Sequence, residues 1–213
     1  MKKVIYLNAG HSFIEPGVIV KGIKEADLNI SIRNALISEL KRQEFKIKKI
    51  PDNLNLRQSI DWVNKNSKHI DDGLALSIHC NCCNGKGAEA FYFTGSRASK
   101  KIADDLINTY CKETKIKNRG SKPDSKARFG RLAWIRNTRI WAVLLECGFM
   151  DYPNDMEKLQ QPDLIAQGIC KGICKVYNED YQEEYTKKLA KKLLERDRIE
   201  EIKKKIIQLV NQI

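Results

Sequence analysis

Short apolar runs rich in β-branched and aromatic residues alternate along this chain with longer stretches whose apolar residues return every three or four positions, and that alternation restricts the fold more than any other feature. Residues 3–9 (Lys-Val-Ile-Tyr-Leu-Asn-Ala) are such a run, closed by Gly10 and delivering His11. Residues 11–24 read as loop. Over 26–42, Leu28, Ile32, Leu36 and Leu40 recur every four residues with Ile30 and Ile37 alongside, which predicts an amphipathic helix. Residues 45–50 predict a second strand, 55–69 a helix with Leu56, Ile60 and Val63 on one side, and 74–79 a third strand ending in His79. Strands over 88–93 and 141–145 and helices over 99–111 and 163–177 complete the pattern.

A succession of strand, helix and strand predicts an α/β domain, with a twisted, mostly parallel sheet flanked by helices on both faces. The run Trp141-Ala142-Val143-Leu144-Leu145 has no polar residue, as expected of a strand buried on both faces, and presents Glu146 at its carboxyl end. In open sheets of this class functional groups collect outside the carboxyl ends of the strands. His11, His79 and Glu146 all fall there by this assignment.

Beyond about residue 180 Lys, Glu and Arg dominate and Gly and Pro are absent. Ile199, Ile202, Ile206, Leu209 and Ile213 follow a 3-4-3-4 spacing, which predicts a C-terminal helical tail over 179–213 behind a domain over 1–178. Tyr185, Leu189 and Leu193 step by four instead, so one continuous coiled coil is not expected. Basic clusters at Lys187-Lys188, Lys191-Lys192 and Lys203-Lys204-Lys205 open two uses for the tail. Its isoleucine seam suits self-association or packing on the domain, and its charge suits contact with an anionic envelope surface.

The formal charge of +12, from 39 Lys and Arg against 27 Asp and Glu, attracts polyanions of any kind and does not choose among them. No run approaches the roughly 18 consecutive apolar residues of a membrane span, so no transmembrane segment is expected. The apolar run after Lys2-Lys3 is too short for an export signal and leads into Asn-Ala-Gly-His rather than a cleavage site. Synthesis in the cytoplasm without a signal peptide is the expectation. Seven cysteines, three of them crowded at Cys80, Cys82 and Cys83, suit free thiols better than a disulfide framework.

Catalytic zinc takes three imidazole or carboxylate ligands and keeps one position open for water. The chain has three histidines. His11 and His79 follow strands expected to be neighbours, whereas His69 sits in a polar helix end. Two strand-end histidines are equally compatible with a structural role, so the pair alone does not decide the matter.

The segment Asn8-Ala9-Gly10-His11 through Glu15-Pro16-Gly17-Val18, followed by Lys24-Glu25-Ala26-Asp27-Leu28-Asn29-Ile30, resembles the opening signature of the amidase-3 type N-acetylmuramoyl-L-alanine amidases. Ser77-Ile78-His79-Cys80-Asn81 is similar to that family's Ser-x-His-x-Asn, and Leu144-Leu145-Glu146-Cys147-Gly148-Phe149 to its Leu-x-Glu-x-Gly-Phe. The resemblance runs over about residues 3–177 and leaves the tail outside.

It implies that His11, Glu25 and His79 ligate zinc, that Glu146 contacts the catalytic water as base and then acid, and that Asn81 contacts substrate. Glu15 rivals Glu25 as the carboxylate ligand, but the acidic-Pro-Gly match makes it a turn residue. Asn8 stands where the family often has an acidic residue, and Ser12-Phe13 where it often has Gly-Gly, so the groups bracing His11 are expected to differ. After Phe149 the stretch Met150–Asp155 runs one residue longer than usual.

The implied activity is cleavage of the amide between N-acetylmuramic acid and L-alanine in peptidoglycan, in phage-type lysis or as an autolysin, on the cell wall after release. Three other readings remain beside it. One is a non-catalytic murein- or nucleic-acid-binding protein using the basic surface, for which Arg128, Arg131, Arg136 and Arg139 among Phe129, Trp134 and Trp141 would supply cations and stacking platforms. Solvated arginines beside core tryptophans explain the same residues, and no dedicated nucleic-acid partner is expected. Another is a zinc peptidase cutting within the stem peptide, since the same chemistry serves any amide. The last is thiol chemistry at Cys80, Cys82 and Cys83, as a zinc site or as a nucleophile paired with His79, which leaves Glu25 and Glu146 unexplained.

Overall fold

The structure, a computed structural model, describes residues 4–12, 15–67, 69, 73–128, 130–183 and 198–203. The chain divides into a unit Met1–Asp180 and a unit Tyr181–Ile213.

In chain order the first unit contains β1 (Val4–Ala9), β2 (Ile19–Val20), β3 (Ile23–Lys24), α1 (Glu25–Arg42), β4 (Lys46–Lys49), α2 (Leu56–Asn66), β5 (Gly73–Asn81) and β6 (Ala88–Tyr92). It continues with α3 (Arg97–Thr114), β7 (Asn118–Pro123), α4 (Ala133–Asn137), β8 (Trp141–Phe149), α5 (Pro153–Leu159) and α6 (Pro162–Val176). Six strands form one sheet in the order β4-β1-β5-β8-β6-β7. β4, β1, β5 and β8 are mutually parallel, while β6 and β7 run the other way. The reversal follows from the link between β5 and β6: residues 82–87 are too few for the helical crossover that a parallel return requires.

Side chains alternate across the sheet, so each strand contributes to two layers. α1 packs on β1 and β5, α3 packs on β6 and β8, and α6 packs on both helices. On the opposite face Tyr6, Ala75, Ala142, Leu144 and Phe91 form a core with Ile60 and Val63 of α2 and Trp134 and Ile135 of α4. Trp134 is buried there and donates its indole N–H to the Val143 carbonyl at 3.1 Å, so it has no free face on which a base could stack. Arg136 is also engaged, paired with Asp124 at 2.5 Å and lying 4.9 Å from the Phe93 ring centre.

The expected strands and helices are present with shifted ends, and four features differ. The stretch 11–24, expected as loop, holds the β2–β3 hairpin, turned by Lys21 and Gly22 at φ 49° and 81°. β7 carries no apolar signal because Asn-Arg-Gly-Ser-Lys-Pro lies at a sheet edge, where half-exposed polar residues suffice. α4 and α5, of 5 and 7 residues, are too short to show a period. β8 continues four residues beyond its apolar run to Phe149, which places Glu146 within the strand rather than at its end. Asp155 secures that extension: its Oδ2 accepts the Phe149 N–H at 3.1 Å and the Gly87 N–H at 2.6 Å.

In the second unit residues 198–203 are helical, with Ile199 and Ile202 exposed and Lys203 paired with Glu200 at 2.9 Å. Ile206, Leu209, Ile213 and the basic clusters apart from Lys203 lie outside the described residues. No described helix is long and apolar enough to cross a membrane.

Asp155→Ala strands two buried N–H groups and is expected to lower the unfolding free energy by about 2–4 kcal/mol in urea titration. A change within experimental error would show that Asp155 does not secure the end of β8.

Candidate metal centre

The site is built where β1 and β5 end side by side. The Gly10 N–H donates to the Ile78 carbonyl at 2.8 Å, extending the β1–β5 ladder by one bond and setting His11 beside His79. Gly10 is required there, because a Cβ would stand 2.2 Å from the His79 ring. His11 then turns with φ 66°, a left-handed conformation that costs a non-glycine residue energy and persists where the surroundings impose it. The rings of His11 and His79 meet edge to face, 5.2 Å between centres at 78°.

Glu25 is the first residue of α1, where the helix dipole favours a negative charge. Its buried carboxylate lies between the imidazoles, with His11 Nε2 at 3.1 Å from Oε2 and His79 Nδ1 at 3.2 Å from Oε1. The Cys80 N–H and the Asn29 amide donate to Oε1 at 3.2 and 3.3 Å, and the Val18 N–H donates to Oε2 at 3.3 Å. Asn29 also donates to the Gly10 carbonyl at 3.0 Å, joining α1 to the end of β1. Burial by itself would push the Glu25 carboxyl up, but the hydrogen bonds to His11 and His79 outweigh it and hold the group well below the usual carboxylate range. The bond to Glu25 raises His11 in turn, against burial and with help from the charges of Glu25 and Glu15.

His79 Nε2, the nitrogen remote from Glu25, meets Ser77 Oγ at 3.1 Å, and Ser77 Oγ accepts from Asn8 Nδ2 at 3.0 Å. Asn8 therefore braces His79 through Ser77. Such a relay fixes the ring and the nitrogen it offers to the site.

Glu146 pairs in register with His79 on one side and with Glu89 of β6 on the other. Its Oε2 is buried and has no hydrogen-bond partner among the described residues. Burial foremost, then the charges of Glu25 and Glu89, push its carboxyl up to about 8.

Among the described residues, His11, Glu25 and His79 are the group able to hold a metal ion, with ligand atoms all within 4.8 Å of one another. The residues fit zinc. Two ligand atoms about 2.0–2.1 Å from a tetrahedral ion stand roughly 3.3 Å apart, and the imidazole–carboxylate separations are 3.1 and 3.2 Å. Gly17, at φ 68°, leaves room over the group, since a Cβ there would lie 2.6 Å from Glu25 Oε2 and 2.7 Å from His11 Cδ2.

Other residues raised by the sequence lie elsewhere. Glu15 is exposed and closes a turn with Ser12, their backbone bond measuring 2.9 Å. His69 is exposed outside the cluster. Cys80 is buried, its thiol pushed well above the ordinary range by burial, and Cys82 and Cys83 do not join the three ligands. Asn81 donates to Glu89 Oε1 at 3.3 Å and accepts the Cys82 N–H at 2.8 Å. Sequence reasoning missed Asn29, although it lies i+4 from Glu25 on α1, and missed Glu89, a lone charge within the apolar run 88–92.

Two imidazoles and a carboxylate able to hold a metal ion thus gather outside the carboxyl ends of the parallel strands of an α/β sheet, with the Glu146 carboxyl one strand away. The chain belongs to the Amidase_3 family, N-acetylmuramoyl-L-alanine amidase, whose family model matches residues 5–175. It is 31% identical over 173 residues to the endolysin of Bacillus phage SPP1, a match covering 78% of this chain and 61% of that protein. It is 28% identical over 167 residues to the N-acetylmuramoyl-L-alanine amidase CwlM of Bacillus licheniformis, covering 76% and 62%. The chain thus spans less than two thirds of the length of these two relatives. Its fold matches the crystal structure of an N-acetylmuramoyl-L-alanine amidase from Clostridium difficile 630 with a TM-score of 0.73 and 22% identity, over 83% of this chain and 97% of that one.

The Glu146 carboxyl makes metal-free stability depend on pH. An acid raised in the folded state from 4.5 to about 8 carries no penalty below 4.5, and the penalty grows as pH climbs to 8. Metal-free Glu146→Gln is expected to match the parent protein at pH 4 and to exceed it by a few kcal/mol at pH 9 in denaturant titration. Equal stability at both pH values would contradict the assigned burial.

Proposed function

We propose that residues 1–178 are a catalytic domain that hydrolyses the amide between N-acetylmuramic acid and L-alanine in peptidoglycan, with zinc held by His11, Glu25 and His79. The observation that carries this reading is the Glu146 carboxyl, one strand from His79 of the three-ligand group and, among the described residues, without a partner at its buried Oε2. Zinc in that position supplies a Lewis acid that polarises a carbonyl and brings the pKa of water to about 7.

Every other step falls to the chain. The Glu146 carboxyl removes a proton from the attacking water and returns it to the leaving nitrogen, and a carboxyl whose affinity for protons is raised by burial can do both near neutral pH. Ser77 and Asn8 keep the His79 ring from turning, and Asn29 with the Cys80 N–H keeps Glu25 in place. Asn81, two residues beyond His79, is the proposed substrate contact. The kinship with a phage endolysin supports a role in lysis, with the protein made in the cytoplasm and acting on the wall after release. The tail is assigned to self-association or to contact with the envelope.

Purified protein is expected to carry about one zinc per chain and to release new L-alanine amino termini from murein. Glu146→Gln should retain the metal and the fold and lose about 10²–10⁴-fold in rate. Mass spectrometry of the products tests bond choice, and cleavage within the stem peptide would replace the amidase by a peptidase. Full activity after chelation would overturn the zinc assignment.

A further inference from the structure

The row of side chains that begins at His79 does not end at Glu146. It continues across the sheet to Glu89 on β6 and from there to two cations on β7. Glu89 is buried, and its Oε2 pairs with both Arg119, Nε at 2.8 Å, and Lys122 Nζ. Arg119 is held further by the Phe149 ring, 5.0 Å from its guanidinium carbon, and by the Lys86 carbonyl at 3.4 Å. One carboxylate answers two cations, so this group keeps one unit of positive charge. About a third of each cationic side chain is exposed, 32% for Arg119 and 33% for Lys122.

The side of the site on which this charge lies decides what it meets. A carboxyl that hands a proton to the leaving nitrogen stands at the amine side of the scissile amide, and Glu146 stands on the β6 side of His79. The leaving peptide therefore runs away from the histidines, over β6 and β7. Strands are spaced about 4.8 Å apart, so head groups gathered at Glu89 lie roughly 5–10 Å from Glu146. In a stem peptide the residue after L-alanine is a γ-linked D-glutamate, whose α-carboxylate falls within that span.

We propose that Arg119 and Lys122, oriented by Glu89, form the subsite for the carboxylate of the second stem-peptide residue. This rests on the amidase reading and adds a preference to it: the free acid is favoured over the α-amidated, isoglutamine form. An arginine beside a lysine suits that task, since charge-assisted hydrogen bonds to a carboxylate distinguish it from a neutral amide of the same shape.

The test is calorimetric binding of L-Ala-γ-D-Glu-L-Lys and of its α-carboxamide to the full chain, which requires no turnover. The acid is expected to bind about tenfold tighter, and in Lys122→Met and Arg119→Gln proteins of unchanged melting temperature that ratio should fall below about twofold. Equal affinities for the two peptides, no binding of either at millimolar concentration, or a ratio that survives both substitutions overturns the subsite. Release of L-alanine amino termini from murein, measured in parallel, separates the two readings. Cleavage without discrimination in binding removes the subsite and keeps the amidase, and discrimination without cleavage does the reverse.

Discussion

The site depends on one buried carboxylate. Glu25 stands between two imidazoles brought from different strands, and a negative charge taken out of water is tolerable only where its oxygens are occupied. Here they are: two backbone N–H groups, the Asn29 amide and both histidines converge on them, at the end of a helix whose dipole favours an anion. The same convergence explains local features that would otherwise be costly. His11 accepts a left-handed backbone, and Gly10 and Gly17 forgo side chains, because a Cβ at either glycine would occupy space taken by His79, His11 or Glu25.

A second consequence comes from the sheet. β8 lies between β5, which it parallels, and β6, which it opposes, so Glu146 acquires His79 on one flank and Glu89 on the other. The carboxyl is raised by burial first and by its acidic neighbours next, while Glu25, with two imidazoles as partners, is lowered. Two carboxyl groups of similar intrinsic acidity are thereby driven in opposite directions by their surroundings, as the proposed division between a ligand and a proton carrier requires. The helices respect this division, since the core formed with α2 and α4 covers Ala75, Ala142, Leu144 and Phe91 of that face. His79, Glu146 and Glu89 belong to the next row of the sheet.

Much of the architecture was legible because it is written in periodicity. Leu28, Ile32, Leu36 and Leu40 mark α1, and the polar-free run from Trp141 marks β8, since burial on one or two faces leaves a residue-level record. β7 and the β2–β3 hairpin left none: edge strands and two-residue ladders owe their form to partners, not to their own apolar residues. The end of β8 was misplaced because Glu146 looks like a boundary in a linear reading, although Asp155 and the pairing with β5 carry the strand to Phe149.

By itself, the sequence determined the α/β class and a basic tail distinct in composition, because these follow from residue type and spacing, while the resemblance of its short motifs to a family singled out His11, Glu25, His79 and Glu146. Only the tertiary structure decided that Asn8 braces His79 through Ser77 and that Glu89 with Arg119 and Lys122 continues the row beyond Glu146. Those pairings join residues from separate strands. Their distances are set by strand order and direction, which are collective outcomes of packing and have no local signature in the chain.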